Sequence, residues 1–173
     1  MPHLRALLFC LPLAFAALVP VLATAQEASV AFGAVKADPS LPVEVTADEL
    51  AVNQADGSAE FAGNVLIVQG AMRLSADEVL VIYQTGGEDG SAKGIERLEA
   101  AGNVLLVNGP DAAEAERAEY TIGTGTVVMT GNVLLSQQGN TLASERLEVN
   151  LTSGTARMAG RVKTILNPEG GSN

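Results

Sequence analysis

The sequence predicts an all-β domain assembled from four copies of one unit, and three observations carry that prediction. Nearly the same strand is written three times, as AGNVLIVQG from Ala62, AGNVLLVNG from Ala101 and TGNVLLSQQG from Thr130. Apolar and polar residues alternate with a period of two, as where Leu147, Val149 and Leu151 interleave with Glu148, Asn150 and Thr152, the mark of a strand with one apolar face. Turn pairs such as Asp56-Gly57, Asn108-Gly109 and Ser153-Gly154 fall between the runs.

The elements follow in chain order. Arg5 gives a positive start, an apolar stretch runs from Ala6 to Leu22, and Ala23-Thr24-Ala25 has the small-x-small form of a cleavage site. Residues 1–25 are therefore expected to be a cleaved secretory signal peptide. Pro12 and Pro20 interrupt the stretch and argue against a retained span. Residues 26–41 contain Pro39, mixed polarity and no clear period, and are expected to be a flexible lead-in. The folded domain is expected over 42–168, with 169–173 as a disordered tail.

Inside the domain two markers recur. One is an acidic corner before an alternating strand, at Asp48, Asp77, Glu116 and Glu145; the other is a Gly-Asn-Val hinge at Gly63, Gly102 and Gly131, degenerate at Gly160. Each corner precedes its hinge by 15 residues, except in the second copy, where the gap is 25. One ten-residue insertion, Thr85 to Gly94, accounts for the difference. The hinge glycine is expected to supply a bend or bulge between short strands, of which the chain should have eleven or more. That number exceeds the ~4–6 strands of an ordinary sheet and requires the sheet to fold over. The hinge strands from Val65 and Val104 are apolar on both faces, as in central or doubly covered strands.

Little in the sequence can do chemistry. His3 and Cys10 are the only histidine and cysteine, and both precede the cleavage site. Disulfides, thiol or imidazole nucleophiles, and Cys- or His-based metal sites are excluded from the mature chain. The formal charge is −10, and loss of Arg5 leaves 9 basic against 20 acidic residues, about −11, which repels nucleic acid and anionic membrane surfaces. Paired carboxylates remain, Asp48-Glu49 and Asp77-Glu78 among them, but a position repeated in successive units marks a fold corner rather than an acid–base pair. The expectation is a protein that is no enzyme and holds no metal or cofactor. Its Val- and Leu-rich alternating strands suit either a closed core or an open groove for acyl chains; periodicity does not separate the two.

VEVTADELAV from Val43, FAGNVLIVQGAMRLSADEV from Phe61 and VVMTGNVLLSQQGNTLASERL from Val127 together resemble the OstA-like family over Pro42 to about Pro168. The resemblance implies an open-ended, twisted β-jellyroll that stacks head to tail, each copy's last strands pairing with the next copy's first. It implies a periplasmic bridge between an LptC-like inner-membrane protein and an LptD-like outer-membrane protein, with lipopolysaccharide sliding along an apolar groove. Apolar first-strand residues, here Val43 and Val45, would face the lipid. By alternation the groove adds Phe61, Val65, Ile67, Leu74, Val79 and Val81, with Val104, Leu106, Val133 and Leu135 from the later hinge strands. The joining edges would be Val43, Glu44, Val45 and Thr46 at one end and Val162, Lys163, Thr164, Ile165 and Leu166 at the other. Edge strands with unpaired backbone groups suit such β-augmentation. The rival is a secreted parallel β-helix, structural or glycan-acting, made of stacked repeats.

Overall fold

The computed structural model describes residues 28–33, 38–55, 57–84 and 94–165, so the expected signal peptide, the tail, most of the insertion and Leu166 lie outside the described residues. The strands are β1 (Ala28–Ala31), β2 (Glu44–Thr46), β3 (Glu49–Asn53), β4 (Ser58–Gln69), β5 (Met72–Tyr83), β6 (Ile95–Asn108), β7 (Asp111–Thr121), β8 (Thr126–Gln137), β9 (Asn140–Asn150), β10 (Thr155–Ala159) and β11 (Lys163–Ile165). They form one sheet in the order β1-β10-β9-β8-β7-β6-β5-β4-β2, with β3 also on β4 and β11 also on β9. Each pairing among the described residues is antiparallel. A parallel β-helix is not what this chain forms.

Six of the strands, β4 to β9, are 11–14 residues long rather than short. The hinge bends a strand without ending it. In the β4–β5 ladder Ala62 pairs with Glu78 and Val65 with Ala76, so Gly63-Asn64 opposes Asp77 alone. Gly63 and Asn64 both have positive φ, 76° and 49°, which glycine adopts freely and asparagine tolerates. Gly102-Asn103 and Gly131-Asn132 repeat the arrangement. The corner strands answer with two outward residues in succession: Asp77 and Glu78 are exposed while Ala76 and Val79 are buried.

Spacing and chemistry meet in this bend. Asn64 Nδ2 donates to Asp48 Oδ2 at 2.7 Å, Asn103 Nδ2 to Asp77 Oδ2 at 2.8 Å and Asn132 Nδ2 to Glu116 Oε1 at 2.6 Å. A Cβ on the hinge glycine would strike the same carboxylate, as at Gly63 and Gly131, 2.7 and 2.6 Å from Asp48 and Glu116 oxygens. In the fourth copy, where Arg161 replaces Asn, the Glu145 side chain still lies over Gly160 and its N–H donates to the Gly160 carbonyl at 3.3 Å. Corner and hinge are two halves of one structural lock.

Folded along this line of bulges, the sheet becomes a jellyroll of two layers joined at a spine. Inward residues from both halves of each long strand pack into a single apolar cluster. Opposite the spine the strand ends approach: Tyr120 Oη, at the end of β7, donates to Gln69 Oε1, at the end of β4, 2.5 Å away.

Two further points differ from the sequence reading. Ala28–Ala31, within the expected lead-in, is a strand paired with β10, and Phe32 beside it is 0% exposed. No period announces four small residues held by one neighbouring strand. The hinge strands, apolar on both faces, are covered on one: Leu66, on the outer face of β4, is 38% exposed, and Leu105 and Leu134 beyond it are half-buried.

Candidate functional site

The buried apolar cluster fills the jellyroll interior, and the alternation places its side chains. On β4 to β6, Val65, Ile67, Leu74, Val79, Val81, Val104 and Leu106 all point inward at 0–1% exposure, as do Val133 and Leu135 on β8. Phe61, Val43 and Val45 are half-buried and pack against the same cluster. The predicted face is thus the inward face. Sequence reasoning did not select Met72, Leu98, Tyr120, Met129 or Met158, all 0% exposed, although the same period of two extends to them. Phe32 carries no periodic signal at all.

Away from its edges this interior is packed like a core, but at one edge it lies open. Leu50 pairs in register with Phe61, and Val52 with Ala59, so both stand on the inner face; they are nonetheless 57% and 64% exposed. Within β2, Glu44 and Thr46 are exposed and Val45 half-buried. At the opposite end Lys163, Thr164 and Ile165 are exposed and Val162 half-buried. Among the described residues, the segments expected as joining edges thus lie at β2 and β11, at the two ends of one layer. In the other layer the C-terminal edge is β10, and β1 occupies it.

One outer face is rich in charge. A register row on it runs Glu60, Leu80, Glu99, Glu119, Val128, Glu148 and Arg157, along a shallow groove of ≈ 420 Å³ that also takes in Arg117 and Arg146. Arg97 lies 2.8 Å from Glu99 and 3.0 Å from Glu96; the hydrogen bond to Glu99 is the main reason its guanidinium is held above the usual range. These pairs are solvent-exposed and screened, so they add little to stability. Inside, burial pushes the Tyr120 phenol up to about 12. Among the described residues no group of three or more His, Cys, Asp or Glu could hold a metal ion.

The family model described as LptA/(LptD N-terminal domain) LPS transport protein matches residues 44–155. The chain belongs to this family. Among its relatives, an uncharacterised Rhizobium meliloti protein is 30% identical over 117 residues, 66% of this chain and 62% of that protein. The lipopolysaccharide export system protein LptA of Escherichia coli is 28% identical over 109 residues, 60% of this chain and 56% of that protein. The chain therefore matches less than two thirds of the length of either relative. Among solved structures, LptH, the LptA-homologous periplasmic component of the Pseudomonas aeruginosa lipopolysaccharide transport device, superposes with a TM-score of 0.66 at 19% identity, covering 76% of this chain and 99% of LptH. The LptA-like jellyroll is thus shown for this chain by fold and by family.

Proposed function

We propose that this protein is a non-enzymatic periplasmic carrier of lipopolysaccharide, taking acyl chains into the jellyroll interior and leaving the sugars outside. The observation that carries the reading is the bare inner face of β3, where Leu50 and Val52 extend the apolar interior into solvent beside Phe61. Burying apolar surface there contributes about 25 cal/mol per Å². The same edge offers unpaired backbone groups for a strand from a second copy or from an LptC-like partner, while β11 would face the next copy or an LptD-like partner. Such head-to-tail contacts do not close, so they build a bridge rather than a ring. Membership of a lipopolysaccharide transport family supports the cargo assignment. With 20 acidic against 10 basic residues in the sequence, acyl burial is the dominant attraction.

The test is site-specific photo-crosslinking during lipid export. A crosslinker at Val45 or Leu50 is expected to capture lipopolysaccharide, whereas one at outward Glu44 is not. Capture from Glu44 alone would overturn the assignment.

A further inference from the structure

We propose that residues 28–33 are a displaceable strap that seals the seam of the jellyroll, with Phe32 filling interior space that a cargo chain would take. The proposal rests on the interior being the cargo path. Along the spine the two layers are joined by every long strand; opposite it they end as two lips with no sheet ladder between them. Residues 31–33 bridge those lips. The Phe32 N–H donates to the Gly154 carbonyl on one lip at 3.0 Å. From the other, Gln137 Nε2 donates to the Ala31 carbonyl at 2.7 Å and to Asp111 Oδ2 at 2.9 Å, while the Gly33 N–H donates to the same carboxylate oxygen at 2.7 Å. Between these contacts the Phe32 side chain enters the apolar cluster at 0% exposure.

The polar residues of the interior fall where a strap would need them. Gln69, Asn108, Asp111 and Ser144 are the buried polar residues among those described, and the first three stand at strand ends on the strapped lip. A chain crossing a seam has no ladder to satisfy its backbone, so side chains at the lip take that role. Gln69 does the same further along, donating to the carbonyls of Pro39 and Leu41 at 3.2 and 2.9 Å. At Gly33, with φ +77°, a Cβ would collide with the Asn108 amide, so the strap lies too close to the lip for a side chain there.

Closure carries a standing cost that makes the strap releasable. Asp111 is 4% exposed, yet its Oδ1 has no hydrogen-bond partner among the described residues. An orphaned buried acceptor loses its hydration without compensation, and opening the seam restores it. The hold on the other side is a four-residue strand with a single neighbour, β10. An apolar chain replaces the Phe32 contact, water replaces the strap's few backbone hydrogen bonds, and the second carboxylate oxygen gains from wetting.

The test locks the strap. Ala31 and Thr155 are both exposed and directly opposed in register, within reach of a cross-strand disulfide, and Cys10 is the only cysteine in the whole sequence. In mature A31C/T155C, uptake of cis-parinaric acid, an 18-carbon fluorescent chain, is followed before and after reduction. The oxidised form is expected to bind at least ~10-fold more weakly than the reduced form, since only the open fraction is competent. Phe32→Ser is expected to bind about 10-fold more tightly than the wild type. Equal binding by oxidised and reduced protein overturns the strap while leaving the carrier reading intact, even if Phe32→Ser fails to fold. Failure of every form, wild type included, to bind the probe overturns the carrier reading, and the strap with it.

Discussion

At the N-terminal edge Leu50 and Val52 stand 57% and 64% exposed on the inner face of β3; at the C-terminal edge Ala156 and Met158 occupy the same face of β10 at 2% and 0%. The alternation is the same at both ends. What differs is the neighbour: β1 and Phe32 lie against β10, whereas β3 has β4 on one side and, among the described residues, no strand on the other. Burial in a repeat protein is thus a property of the junction and not of the unit.

The largest effect expected from breaking this contrast is at the covered edge. Met158→Ala should cost about 2–5 kcal/mol in urea denaturation, as a core truncation does, while Leu50→Ala should cost less than ~0.5 kcal/mol. Equal costs would erase the distinction between the edges. A smaller effect is expected at the bends. Asn132→Ala removes both the hydrogen bond to Glu116 and a residue suited to φ 47°, and should cost about 1–2 kcal/mol. Asn64→Ala, beside the open edge, should cost less, since fewer strands lie beyond it to hold.

Tyr120 sharpens the comparison at the seam. Its phenol is raised from 10.0 to about 12 by burial, so the folded state favours the neutral form. That contribution is complete below pH 10 and is lost as pH rises through about 12. Tyr120→Phe should flatten this alkaline loss, measured by the denaturation midpoint across the window. The smallest stability change, within ~0.5 kcal/mol, belongs to Val52→Lys, yet it should weaken any concentration-dependent self-association seen in sedimentation by placing a charge on the bare edge.

The sequence made the sheet and its inward face legible because a period of two survives any tertiary context. It made the bend legible too, through a 15-residue spacing that separates a carboxylate from the hinge glycine it covers, one residue before the asparagine it accepts from. It did not reveal that Gly-Asn bends a continuous strand, since a bulge and a break carry the same letters. Nor could it show β1 and Phe32, whose order comes from lips contributed by residues 78 to 122 positions away. The exposure of Leu50 was hidden for the matching reason: it is set by what lies beside β3, and a neighbour's place in the sheet leaves no mark in the local pattern.

The corner-to-hinge lock has a consequence for the growth of such proteins. Because each copy sets its own angle with its own acid and glycine, duplicating one 29-residue stretch would lengthen the jellyroll and leave its cross-section unchanged. Length can then drift over generations while the cross-section stays constant.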